Sequence, residues 1–181
     1  DTAAAVADAL RAASTARSDR EPPTAAELSE AAERVVAQED PVYGGFAPPG
    51  AGMDVPKFPA LPAVGFLQAP AVAAADAAAR AVSAIGRLQD PIDGGLFRYA
   101  TRRDWTVPHY ERMLTDNAQL IVVARDAGRE DIARAAAGFL VETLQQPSGG
   151  FAAAQDSESW IEGERSEGGY FARDADARED L

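Results

Sequence analysis

Helices alternating with glycine-rich loops predict an all-α protein, a helical-hairpin array with one short β-hairpin near the carboxyl end. Three observations carry this reading. Alanine-dense runs such as AVAAADAAARAV (71–82) favour helix and allow helices to approach closely. A Gly-Gly pair with an aromatic within two residues recurs as YGGF (43–46), DGGLF (93–97), SGGF (148–151) and EGGY (167–170). The second glycines of the first three, Gly45, Gly95 and Gly150, lie 50 and 55 residues apart, the room that two helices and their connections need. Each helix pair therefore begins with a Gly-Gly-aromatic loop.

The elements follow in order. Residues 2–17 read as an Ala-rich helix, closed by the linker SDREPP (18–23). Thr24 with Glu27 forms a capping box that opens a helix to about Gln38, with Leu28, Ala32, Val35 and Val36 on one stripe. Glycine and proline forbid regular helix across 40–62, a long structured loop held by aromatics rather than a disordered one. A helix from about Ala63 to Leu88, broken near Pro70, leads to a second loop over 89–107. Pro108 suits the first position of a helix that runs to Asp126 or Ala127, with Gly128 as its cap. Residues 129–146 form its amphipathic partner, and the stretches 147–160 and 167–174 can pair as the β-hairpin. Two units result: residues 1–23, a helix and linker, and residues 24–181, about three helical hairpins.

Composition narrows the function classes. The chain has 181 residues, 46% of them hydrophobic, enough for one domain with a core. Its net charge is −12 and no basic stripe appears, which argues against nucleic acid. No apolar run is long enough for a membrane span, and the expected location is the cytoplasm. Without cysteine there is neither a disulfide framework nor thiolate chemistry. The acidic runs 152–160 and 174–180 lack a calcium loop's glycine and read as solvated; no metal and no cofactor are expected. Neither end resembles a natural boundary, so the chain is expected to be a piece of a longer protein.

Sixteen of the 17 cations are Arg; the only Lys, Lys57, and the only His, His109, stand in dense motifs. On the expected helix, His109 shares a face with Met113, Asp116 and Leu120. The helix amino end would keep its imidazole neutral, suited to a general base or a donor to a sugar hydroxyl. Asp116, about 10–11 Å further along, could line the same cavity, with Asn117 beside it. A capping histidine and solvated acids are the alternative. Trp105, Phe97, Tyr99 and Tyr110 cluster nearby, as in a carbohydrate pocket or an aromatic mini-core. Lys57, stiffened between Pro56 and Phe58, could hold a ligand anion or form a structural ion pair.

The motifs GGF, PKFP (56–59), GGLFRYATRRDWTVPHYERMLTDNAQL (94–120) and GGFAAAQDSES (149–159) resemble the thioredoxin-domain-containing protein family of the spermatogenesis-associated thioredoxin-like type. The resemblance covers about residues 40–172. It implies part of an (α/α)6 toroid similar to N-acylglucosamine 2-epimerases and six-hairpin glycosidases, with an amino-terminal thioredoxin-like domain and further hairpins in the longer chain. It further implies a pocket at the loop end, with His109 and Asp116 catalytic and Lys57, Phe58, Arg98, Tyr99, Trp105, Glu111, Asn117 and Asp156 binding a small carbohydrate. Thr115 departs from the family's usual Tyr, and AAAQDSES is thinner in acids than the family's run. A sugar-binding or carbohydrate-active domain and a non-catalytic scaffold or interaction domain both remain open. An incomplete ring also leaves apolar faces bare, so self-association is expected.

Overall fold

The computed structural model describes residues 2–15 and 21–179. In chain order it contains α1 (Thr2–Thr15), α2 (Ala25–Val36), α3 (Leu61–Leu67), α4 (Ala75–Ile85) with a 3₁₀ turn at Gly86–Leu88, then β1 (Tyr99–Ala100), β2 (Pro108–His109) and β3 (Arg112–Met113). There follow α5 (Leu114–Asp126), α6 (Glu130–Phe139) with a π turn at Leu140–Leu144, β4 (Ala154–Gln155), β5 (Glu158–Ile161), β6 (Glu164–Glu167) and α7 (Ala175–Glu179). Helix predominates, with three small antiparallel ladders, so the expected all-α class holds only in its main part. Part of the expected linker at 18–23 lies outside the described residues.

Local chemistry accounts for several boundaries. The Glu27 amide donates to the Thr24 hydroxyl at 3.3 Å, and the Thr24 amide donates to the Glu27 carboxylate at 2.7 Å, closing the capping box of α2. The break expected near Pro70 separates two helices, α3 and α4, because Pro70 lacks an amide and clashes with a preceding turn. Gly128, at φ 71°, ends α5 as expected.

The helix expected from Pro108 is the main correction. It begins only at Leu114; residues 108–113 are extended instead. Tyr99 pairs with His109 and Ala100 with Pro108, the Arg98 amide donates to the Glu111 carbonyl at 2.9 Å, and Met113 pairs with Ala154. Backbone bonds to two remote segments outweigh a local preference for Pro at a helix start. The expected hairpin forms near its predicted place, but between Glu158–Ile161 and Glu164–Glu167, while Ala154–Gln155 pairs with β3.

The core runs between α3, α4, α5 and α6, where Val64, Leu67, Val82, Ile85, Leu88 and Leu120 are fully or almost fully buried. Alanines 77, 78, 81 and 84 bury one face of α4, leaving room for its neighbours. No helix among the described residues is long and apolar enough to cross a membrane.

Candidate functional site

The first two Gly-Gly loops are built to one plan, and the third is a version one residue shorter. In the first, the Asp40 amide donates to the Gly45 carbonyl at 2.8 Å and the Gly44 amide to the Asp40 carbonyl at 2.9 Å. The second repeats those bonds at the same lengths with Asp90, Gly95 and Gly94. The third uses Gln146, Gly150 and Gly149 at 2.7 and 2.8 Å. Each loop is flanked by a one-residue bridge: Glu39 with Phe46, Gln89 with Leu96, Gln145 with Phe151. At φ 70° and 79°, Gly44 and Gly94 occupy backbone that L-residues rarely adopt, and a Cβ there would strike Ala84 or Ala135.

Asp40 is the hub of the first loop. Its side chain is fully buried and accepts from Lys57 Nζ at 2.7 Å and from Arg103 Nε and Nη2 at 2.7 and 2.9 Å. The amides of Val42 and Tyr43 add bonds at 3.0 and 3.1 Å. Burial pushes the Asp40 carboxyl up, but Arg103, Lys57 and the two amides outweigh it and hold it well below the usual carboxylate range. Lys57 also donates to the Arg103 carbonyl and lies 5.0 Å from the Trp105 ring centre. Trp105, held in left-handed backbone at φ 68°, donates its indole N–H to the Tyr43 and Gly44 carbonyls.

Asp90 repeats the arrangement with different cations. Arg178 Nη1 donates to it at 2.7 Å, and Arg112 Nη1 lies at 3.6 Å. Arg112, with no exposed surface, also donates to Asp93 at 2.5 Å and to Gln155, and stacks over Phe139 at 4.2 Å and Phe171 at 4.8 Å. Asn117 anchors the same loop: Leu96 donates to its side-chain oxygen at 2.7 Å and its amide returns a bond to the Leu96 carbonyl.

The sequence-selected residues therefore fall into two groups. Lys57, Trp105 and Asn117 are inside the protein, holding loops. Strand alternation explains the split: Lys57 pairs with Ala100, whose own neighbour is Pro108, so Lys57 points inward while Phe58, Tyr99 and His109 face out. Tyr99 is stacked between Phe58, at 4.7 Å between ring centres, and His109, at 4.8 Å. The only lysine and the only histidine thus share a three-segment ladder but look away from each other. His109 is not at a helix amino end, so the dipole argument for its neutrality does not apply. Its Nε2 lies 3.7 Å from Glu111 and its Nδ1 3.4 Å from Glu167 on β6.

Arg98 pairs with Glu111 at 2.5 Å beside this stack. Phe58, Pro59, Leu61, Arg98, Asp116 and Gln119 line a cleft of about 310 Å³. Burial raises the Asp116 carboxyl above its ordinary value; Arg98 opposes the shift and Glu111 adds to it. Asp156 is exposed and accepts the Glu158 amide of its own turn, at 3.1 Å. The sequence cluster of four aromatics divides three ways: Tyr99 to the open stack, Trp105 to the first loop, and Phe97 with Tyr110 to a mini-core around Phe171. Sequence reasoning passed over Asp40, Asp90, Arg103, Arg112 and Arg178. The signal for the acids was present, since Asp-Pro stands four residues before Gly-Gly in both EDPVYGG and QDPIDGG. Arg178 sits in the run read as solvated; its side chain is buried against Asp90.

No family model matches the chain. Over 157 residues, 76% of its length, it is 32% identical to spermatogenesis-associated protein 20 of Rattus norvegicus. It is 38% identical to the Homo sapiens protein of that name over 95 residues, 48% of the chain, and 42% identical to the Mus musculus one over 81 residues, 41% of the chain. The matched stretches cover 19%, 12% and 10% of those relatives, so the chain spans less than a fifth of each. These homologues support that family for the chain.

Proposed function

We propose that this chain is part of an (α/α)6 toroid, carried in a longer protein with a thioredoxin-like domain, and that its outward face binds a small carbohydrate. The observation that carries the reading is the cleft at the end of the Phe58–Tyr99–His109 stack. Phe58 is 54% exposed, so its free ring face is available to the C–H face of a sugar. Arg98 and Gln119 offer donors to hydroxyls, and Asp116, whose carboxyl burial raises, is the candidate acid. His109 lies beyond Tyr99 from the cleft; its role is to order the stack, and it reaches a ligand only if that ligand extends past Tyr99.

Saturation-transfer NMR of the full-length protein with a panel of mono- and disaccharides tests this. Phe58→Ala and Asp116→Asn should abolish the transfer to the accepted sugar while leaving the melting temperature within about 2 °C. Sugar contact that survives both substitutions sinks the reading. A second reading, a non-catalytic scaffold, is favoured by the burial of Lys57, Trp105 and Asn117, which serve loop structure whatever the outer face does.

A further inference from the structure

Arg98 and Asp116 line the same cleft, yet the guanidinium is bound by Glu111. The backbone sets up this choice. The Arg98 amide donates to the Glu111 carbonyl at 2.9 Å, next to the Tyr99–His109 pair of the β1–β2 ladder, so the two side chains start as cross-strand neighbours. Arg98 Nη1 then meets the Glu111 carboxylate at 2.5 Å. Glu111 is engaged from its other side as well. Its carboxylate lies 3.7 Å from His109 Nε2, and His109 Nδ1 lies 3.4 Å from Glu167 on β6. The imidazole between them is fixed by its stack on Tyr99, with the two rings 17° from parallel. From α5 to β6 the order is Asp116, Arg98, Glu111, His109, Glu167, a row in which acid alternates with base.

An unengaged guanidinium in this cleft would take Asp116 instead. Arginine fits a carboxylate at two points, and such a pair holds the acid in its charged form. A carboxylate held that way has no proton to give. We propose that Glu111 is a positioning residue for Asp116: by occupying Arg98, it keeps that cation from pairing with Asp116 and leaves Asp116 able to hold a proton in the cleft. The inference rests on the reading of Asp116 as the acid of the cleft. The electrostatics point the same way, since burial raises the Asp116 carboxyl, Arg98 lowers it and Glu111 raises it. Phe58, Pro59, Ala60, Leu61, Pro62 and Gln119, which complete the cleft, carry no charge. The balance at Asp116 is therefore set by Arg98 and Glu111, with His109 and Glu167 further along the row. The Arg98 and Glu111 side chains are 47% and 26% exposed, a setting in which an ion pair adds little to the stability of the fold.

Carbodiimide coupling of the full-length protein to an amine, read at Asp116 by peptide mass spectrometry, tests this, because the reagent takes the protonated carboxyl. Glu111→Gln should lower coupling at Asp116 by at least about threefold at about pH 5, as the released Arg98 turns to Asp116. Removing that cation as well, by combining Arg98→Met with Glu111→Gln, should restore coupling to the parent level or above. Asp90, 2% exposed, is the internal control, since it couples only where the protein has opened. Coupling at Asp116 that is unchanged or higher in Glu111→Gln overturns the proposal, as does a double variant that stays low. Asp90 coupling in Glu111→Gln overturns it too, by marking Glu111 as a residue that holds the fold. No sugar enters this experiment. A protein that shows these changes but gives no saturation transfer loses the carbohydrate reading and keeps this one; transfer with unchanged coupling does the reverse.

Discussion

The Asp40 and Asp90 loops share a backbone and a buried carboxylate but solve the problem of its charge differently. Asp40 is served by Lys57, 17 residues on, and by a bidentate Arg103. Asp90 is served by Arg178, 88 residues on, and by Arg112, which also answers to Asp93, Gln155 and stacked aromatic rings. Ammonium is a compact point charge and fits the closed space under Trp105; the planar guanidinium spreads over rings and several acceptors. The first hub ties its loop to residues 17 and 63 positions on, while the second staples α7 to the middle of the chain. A buried carboxylate at this place in a Gly-Gly loop thus fixes the need for cations, not their identity or origin.

Removing the first anion gives the largest effect. Asp40→Ala strands a fully buried ammonium beside Arg103, so a stability loss of about 3–5 kcal/mol is expected in chemical denaturation. The sign with pH follows from the depressed carboxyl: its stabilisation is complete above the unfolded value near ~4 and fades as pH falls through the lower folded one. Asp40→Asn should therefore flatten the acid limb of a melting-temperature profile below about pH 4. A variant that keeps the parent slope shows that other carboxylates set acid stability.

Arg112→Met comes next, at about 2–3 kcal/mol, because Asp90 keeps Arg178 while Asp93 loses its cation. An equal or larger loss than for Asp40→Ala would mean that the second hub, not the first, is the keystone. Gln146→Asp in the third loop should change stability by less than about 0.5 kcal/mol, since the position is solvated and has no cation to satisfy it. A loss of several kcal/mol at this position would remove the contrast between buried and open loops. The smallest expected effect is at the outer cleft. Asp116, whose carboxyl is raised by burial, loses stability as pH rises past its folded value. Asp116→Asn should raise the melting temperature slightly at pH 7 and leave it unchanged at pH 3, the signature of a group kept for a purpose other than stability.

Much of this was legible. Thr24 with Glu27, the break at Pro70 and the cap at Gly128 were read correctly because each acts within one turn of its own position. The Gly-Gly period was legible for the same reason. His109 was misplaced because Pro108 offers a locally sound helix start, yet Tyr99 and Arg98 claim the backbone of 108–111 from across the sheet. Lys57 was expected to be a ligand anchor or to form a structural ion pair with Asp116 or Glu111; its partner is Asp40, to which no spacing rule ties it.

What the sequence determined by itself was where several helices open or close and that Gly-Gly loops recur between them, because caps, prolines and glycines act through the adjacent few bonds. Which cation neutralises which buried carboxylate, and which aromatics face water, was decided only by tertiary structure. Those outcomes depend on segments 17 to 88 residues apart meeting in a low-dielectric interior, where one paired charge outweighs a local propensity.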